Sequence, residues 1–407
     1  MRQPFQPDPD VLAALARAGL TRRSFLRRVG AGGALLASGG LLSACGIGGE
    51  ARSQAGSSEE GSSPQPQQTV GGELNFSNWT LYIDQRKNKR PTLIDFREET
   101  GVKVNYFEDI NSNDEYFAKV RNQLANGEDI GRDLMVLTDW MAGRLIELGW
   151  LEQIDASQIP NMDNLREGLQ SPAFDPERQW SLPWQSGMTG IGYNPKLIGR
   201  KITSVNDLFA DDLAGQVTFL SEMRDTTGLV MAAMGADPLN HEFSEYEAAI
   251  EKLGDAVGSG QVRAFTGNDY AADLAAGNIG AAIAWSGDVI QSQFENPDVQ
   301  WVLPAEGGLL WSDNMLIPAN AQHVANAHAF MNFVYRPQIA AQIAAWVNYI
   351  TPVEGAQDAI AEIDESLADN ELIFPGQQTL SNTFDFKQLS AEEEREYQDL
   401  FQGVIGA

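Results

Sequence analysis

Residues 309–318 read LLWSDNMLIP, and the spacing predicts an extended strand. Successive side chains of a strand point to opposite faces, so Leu309, Trp311, Asp313 and Met315 share one side. A carboxylate thus sits beside an indole on a face that is otherwise apolar. Out of water a carboxylate pairs, protonates or is held by donors. Either Trp311 and Asp313 face a cleft together, or Trp311 is core and Asp313 is satisfied by a backbone N–H or an arginine.

The segments before this strand alternate in type. GELNFSNW (72–79), VKVNYFE (102–108), DLMVLTD (133–139), QVTFLSE (216–222), GAAIAWSG (280–287) and VQWVLP (299–304) read as strands. PTLIDFREETG (91–101), NDEYFAKVRNQLANG (113–127), WMAGRLIELG (140–149), RDTTGLVMAAMG (224–235) and EFSEYEAAIEKLGDAV (242–257) read as helices, several stopped by glycine. WSLPWQSGMTGIGYN (180–194), with a proline and three glycines, reads as a connection between two α/β lobes. No short repeat interrupts the alternation, which predicts an α/β architecture. Aromatic or acidic residues recur at the strands' carboxyl ends, in NWTLY, TDW, SEMRD and WSG. Ligands of open α/β sheets bind beyond those ends, so the loops are expected to converge on one cleft.

The chain has 407 residues, enough for two or three domain-sized units, and a formal net charge of -28 with pI near 4.4. That charge argues against a nucleic-acid partner and against docking on anionic lipid, and it favours a cationic ligand. An acidic surface suited to saline surroundings is the other reading. GxSxG, HExxH and Gly-Lys-Ser/Thr motifs are absent from the sequence, and no cofactor or metal site is expected. His241, His323 and His328 are too scattered for a metal site and are assigned surface or helix-face roles. Paired carboxylates leave an exported hydrolase open as an alternative.

Near the N-terminus TRRSFLRRVG carries Arg22 and Arg23 ahead of the Gly/Ala/Leu-rich VGAGGALLASGGLLSA, too short and glycine-rich for a membrane span. The twin arginine resembles a Tat export signal, and Leu42-Ser43-Ala44-Cys45 resembles a bacterial lipobox. Residues 1–44 are therefore expected to be a signal, with lipid on Cys45, the only cysteine in the chain. Residues 45–71, rich in Gly, Ser, Gln and Pro, are expected to form a flexible tether. The protein would be exported and anchored to the outer face of the cytoplasmic membrane, or lie in the periplasm.

From about Gly72 onward the chain resembles the spermidine/putrescine-type substrate-binding proteins of polyamine ABC importers. The resemblance is carried by FSNWTLYI, FREETGVKVNYFE, TDWMAGRLIELGWLEQID, SPAFDPERQWSLPWQSGMTGIGYN, AEGGLLWSDNMLIPANA and NFVYRPQIAAQIAAWVNYITP. It implies a two-lobed type II periplasmic-binding-protein fold with the ligand cleft between the lobes. Lobe 1 would be 72–185 with 312–357 and lobe 2 would be 186–311 with 358–407, crossing near Ser186 and Trp311.

The family's ligand contacts fall on Trp79, Thr80, Tyr82, Thr138, Trp140, Glu222, Asp225, Trp285, Trp311, Asp313 and Tyr349, with a further contact around Phe386 to Gln388. Polyamines are ammonium groups joined by apolar spacers, so carboxylates suit their heads and aromatic faces their spacers and charge. The resemblance implies a monomeric, non-enzymatic receptor that hands a polyamine to an ABC permease. A receptor of the same fold for a sugar or amino-acid derivative is the alternative. The chain departs from the family pattern in the basic run Arg86, Lys87, Lys89 and Arg90, which would oppose a cation if it overhung the cleft. The loop SEMRD also departs from it.

Overall fold

The computed structural model describes residues 69–406. The signal segment 1–44, Cys45 and the tether up to residue 68 lie outside the described residues. Ten strands form one curled sheet: β1 (Glu73–Trp79), β2 (Lys103–Ile110), β3 (Leu134–Thr138), β4 (Ser181–Tyr193), β5 (Val217–Leu220), β6 (Val262–Thr266), β7 (Ala281–Trp285), β8 (Gln300–Val302), β9 (Gly308–Leu316) and β10 (Thr383–Phe384). Their order is β2-β1-β3-β9-β4-β7-β5-β6, with β10 on β9 and β8 on β4. β1, β2 and β3 run parallel, as do β5, β6 and β7. Between these two parallel sets lie β4 and β9, antiparallel to each other from Ser181 opposite Leu316 to Thr189 opposite Leu309.

Helices of eight or more residues are α1 (Pro91–Thr100), α2 (Asn113–Ala125), α3 (Asp139–Glu147), α4 (Met223–Ala233), α5 (Phe243–Gly258), α6 (Asp269–Ala276), α7 (Ser286–Glu295), α8 (Val324–Val334), α9 (Pro337–Val347) and α10 (Ala391–Ile405). Gly101 stops α1 with φ 75°, a left-handed cap suited to glycine. Around β1 the rings of Phe76, Phe96 and Phe330 meet at centroid distances of 5.2 Å, bringing α8 against the first half of the sheet. In the other half Tyr246 of α5 stacks on Tyr397 of α10 at 3.9 Å. The chain therefore returns to each half after leaving it.

Three sequence expectations need correction. Residues 181–193 are the longest strand, buried at every position, and not a connection. Its glycines are close-approach positions: a Cβ on Gly187 would collide with the rings of Trp311 and Tyr349, and one on Gly190 with Trp301 and the Val302 carbonyl. His241 is buried rather than superficial, while His328 is on a helix face, that of α8, and is buried there. The His241 Nδ1–H donates to the Pro238 carbonyl at 2.9 Å, and His328 Nε2 accepts from the Asp155 amide at 3.2 Å. β6, β10 and α6 to α10 are absent from the sequence expectation, and α6 and α7 each follow their strand with almost no loop.

Gly187→Ala is expected to destabilise the protein by about 1 to 3 kcal/mol, the range for overpacking a filled core. Chemical denaturation measures it, and an unchanged midpoint would show that the Trp311 ring has room to move.

Candidate functional site

The carboxyl ends of β1, β3, β5, β6 and β7 and the middle of β9 open onto one cavity of about 480 Å3. Every residue singled out from the sequence lines it: Trp79, Thr80, Tyr82, Thr138, Trp140, Glu222, Asp225, Trp285, Trp311, Asp313 and Tyr349. Phe386, Lys387 and Gln388 line it too. Much of this set stands at helix starts rather than in loops. Thr138, Glu222 and Trp285 are the N-caps of α3, α4 and α7, and Asp225 and Asp288 lie in the first turns of α4 and α7. The positive ends of these helices favour carboxylates and disfavour a bare cation, so the acids set the sign of the site.

Aromatic rings form a continuous wall. Trp79 meets Trp285 at 6.4 Å, Trp285 meets Trp311 at 6.5 Å, Trp311 meets Tyr349 at 5.5 Å and Tyr349 meets Tyr82 at 5.3 Å, at steep interplanar angles. Glycine makes room for the last of these rings: a Cβ on Gly287 would lie 2.5 Å from the Tyr349 ring. Indole N–H groups hold the wall in place. Trp79 Nε1 donates to the Val136 carbonyl at 3.0 Å, Trp311 Nε1 to Thr189 Oγ1 at 3.1 Å and Trp285 Nε1 to Asp225 Oδ1 at 2.9 Å.

The hydrogen-bond donors to the acids are neutral groups. Asp313 Oδ1 accepts the Thr138 hydroxyl at 2.7 Å, and the Tyr82 hydroxyl approaches the same carboxylate without reaching hydrogen-bond geometry. Asp225 accepts from Thr189 and Trp285 at one oxygen. Glu222 Oε1 accepts the Asn113 amide at 3.1 Å. Among the described residues none of these three carboxylates is in a salt bridge. Burial, with Asp114 and Asp225 nearby, pushes Glu222 up to about 8. Burial, reinforced by Asp139 and Asp225 and opposed by Thr138 and Tyr82, pushes Asp313 up to about 7. Burial also raises Asp225, against the pull of Thr189 and Trp285.

The sequence reading missed a further acid in the wall, Asp288, which accepts the Tyr349 hydroxyl at 3.1 Å and the Asn268 amide at 2.9 Å. The signal was there in WSGD, one residue beyond the stretch considered. Asn113 and Asn268 also line the cavity, and as lone asparagines they carried no pattern. Trp140 lines the cavity, but the Arg224 guanidinium lies 4.0 Å over its ring and pairs with Glu394. Its face already holds a cation of the protein's own. The basic run does not line the cavity. Arg86 and Lys89 bridge in a small exposed hairpin, and Arg90 pairs with Glu108 at 2.7 Å.

Comparison with known proteins places the chain in a family. Residues 93–375 match the model for bacterial extracellular solute-binding proteins. The spermidine/putrescine-binding periplasmic protein of Escherichia coli (strain K12) is 28% identical over 311 residues, covering 76% of this chain and 85% of the relative. The protein of the same description from Salmonella typhimurium is 29% identical over 335 residues, covering 81% and 92%. Among solved structures, the putative spermidine/putrescine ABC transporter from Listeria monocytogenes superposes with a TM-score of 0.73 at 29% identity, covering 82% of this chain and 98% of that one. The fold is that of the periplasmic binding proteins.

A pH dependence follows from the buried acids. Glu222 and Asp313 titrate higher in the folded protein than in the unfolded chain, so their stabilising effect is full at low pH and is lost as pH rises through about 7 and about 8. His241 and His328, lowered by burial, act in the opposite sense but only below about 6.5. The ligand-free protein should therefore melt at a lower temperature at about pH 8.5 than at about pH 7. Combining Glu222→Gln with Asp313→Asn should flatten the trend. A wild-type melting temperature that holds or rises across this interval contradicts the assignment.

Proposed function

The chain belongs to the bacterial extracellular solute-binding proteins, and from that premise we propose that it is the polyamine receptor of an ABC importer, taking up spermidine or putrescine. One observation carries this reading. An aromatic wall encloses buried carboxylates, and among the described residues no arginine or lysine is paired to Glu222, Asp225 or Asp313. An alkylammonium ligand supplies the missing charges while its methylene spacers lie along the rings. Cation–aromatic contacts contribute about 0.5 to 2 kcal/mol each. Coulomb attraction at about 4 Å is near 4 kcal/mol for an effective dielectric of about 20, partly offset by desolvation. A sugar, which carries no charge, would leave the acids uncompensated. The relatives' descriptions agree with the polyamine reading.

The proposed ligand contacts are Trp79, Thr80, Tyr82, Thr138, Asp225, Trp285, Trp311, Asp313 and Tyr349, with Glu222 available to a third ammonium group. Trp140 serves as a wall behind Arg224. Two lobes, 72–185 with 312–357 and 186–311 with 358–407, would close on the ligand about β4 and β9, and the closed form would be what a permease reads. Cys45 would carry lipid and hold the monomer at the membrane surface after export. No catalytic role is proposed.

Asp313→Asn, nearly isosteric and neutral, is expected to weaken putrescine and spermidine binding by about 1.5 to 3 kcal/mol, or about 10- to 150-fold. Calorimetry with both ligands tests this. Affinity equal to wild type would remove Asp313 from the site. Glu222→Gln should weaken spermidine more than putrescine. A thermal-shift panel including maltose and common amino acids should respond to the polyamines alone, and stabilisation by an uncharged solute instead would replace the polyamine reading.

A further inference from the structure

Asn113 opens α2 on the β1–β3 side of the sheet and is 1% exposed. Its backbone N–H donates to Glu222 Oε1 at 3.1 Å, with its Nδ2 3.5 Å from the same oxygen. Glu222 follows β5, on the other side of the sheet. Asn113 Nδ2 also donates to Thr138 Oγ1 at 2.9 Å, and Asn113 Oδ1 accepts the Thr138 amide at 3.1 Å. That last contact fixes the orientation of the amide, because a backbone N–H can only donate. Thr138 Oγ1 therefore receives a proton from Asn113 and directs its own to Asp313 Oδ1, 2.7 Å away.

Helix capping does not explain this arrangement. Ser112 already caps α2 by accepting the Glu115 amide at 3.2 Å. Thr138 and Glu222 are themselves N-caps, yet neither side chain caps its helix. Threonine normally does so, and here its hydroxyl is diverted to the cavity.

We propose that Asn113 is a positioning residue that joins Glu222 and Asp313 across the cleft, so that capture of a cation at Asp313 and closure of the Asn113–Glu222 contact reinforce each other. The inference rests on the polyamine reading for its ligand but not for its hydrogen bonds. Glu222 is faced by Asp114 from α2 and Asp225 from α4, while Asp313 is faced by Asp139 from α3, Asp225 and Tyr82. Arg224 lies near Asp114 and Asp225 but is paired with Glu394. Against so much like charge, the donors on Asn113 pull the Glu222 carboxyl back toward its ionised form and aim it at the cavity.

The test compares wild type with Asn113→Ala and with Asn113→Ser, which suits a helix start; both keep the backbone N–H on Glu222 and remove the side-chain amide that binds Thr138 and makes the second approach to Glu222. Stopped-flow binding of putrescine and spermidine should show dissociation about tenfold faster in both variants, the scale of one net hydrogen bond. Association should be nearly unchanged, and the difference should be smaller at about pH 8.5, where the acids ionise unaided. Carbon-13 carboxyl titration of the ligand-free protein, assigned with Glu222→Gln, should show the Glu222 midpoint moving up. Unchanged dissociation and an unmoved Glu222 midpoint in either folded variant would overturn the proposal, as would a loss equal at every pH. If wild type binds neither polyamine, the functional reading fails and the Glu222 titration still decides this inference.

Discussion

Carboxylates withheld from water and from salt bridges are the constraint on which the rest of the site depends. Asp225, Asp313 and Glu222 are each less than a tenth exposed, and like charges so placed raise one another's proton affinity. Folding without a ligand therefore requires either protons or donors. The chain uses both: Glu222 and Asp313 hold their protons up to about 8 and about 7, and neutral donors, Thr138, Thr189, Asn113 and the Trp285 indole, lessen the desolvation penalty of the ionised forms without cancelling their charge. A residual demand for positive charge is thereby built into a stable fold, and the proposed cationic ligand would meet it.

That arrangement is compatible with the helix N-termini around it. Each strand-to-helix junction projects positive potential into the cavity, which lowers the energy of the acids in the first turns of α4 and α7. A site with the same rings but without those acids would repel an ammonium group. The glycines of the long strand and of the α7 start have a matching role: Gly187 and Gly287 leave space for Trp311 and Tyr349, so the rings stand where acids and spacers of a ligand meet them. Backbone sterics, ring placement and charge are thus set by the same few junctions.

How much of this was legible in the sequence depended on whether the signal was local. Alternation in LLWSDNMLIP and the acidic or aromatic strand ends were local, and the residues they marked share one cavity. The long strand at 181–193 was hidden because Pro183 and its glycines read as turn formers. Their reason is tertiary, the pressure of the Trp311, Tyr349 and Trp301 rings, and no local pattern encodes it. Asn113 was invisible for a related reason. Its hydrogen-bonding partners lie 25 and 109 residues away, and one asparagine at a helix start has no distinctive spacing. His241 was expected on a surface or helix face by residue type, whereas a carbonyl and a hydroxyl hold it in the interior.

A comparison within the cavity separates two clusters of aromatic and anionic groups. At Trp140 the indole face, the Arg224 guanidinium and the Glu394 carboxylate form a complete set of aromatic, cation and anion. At Trp285, Trp311 and Tyr349 the aromatic and anionic members recur, and among the described residues no arginine or lysine is paired to Asp225 or Asp313. Both clusters follow one chemical rule, and the difference lies in who provides the charge. A permanent side chain makes the first a fixed part of the fold. The second would be completed by the proposed mobile cation, and that asymmetry is what suits an acidic, aromatic cavity to a receptor.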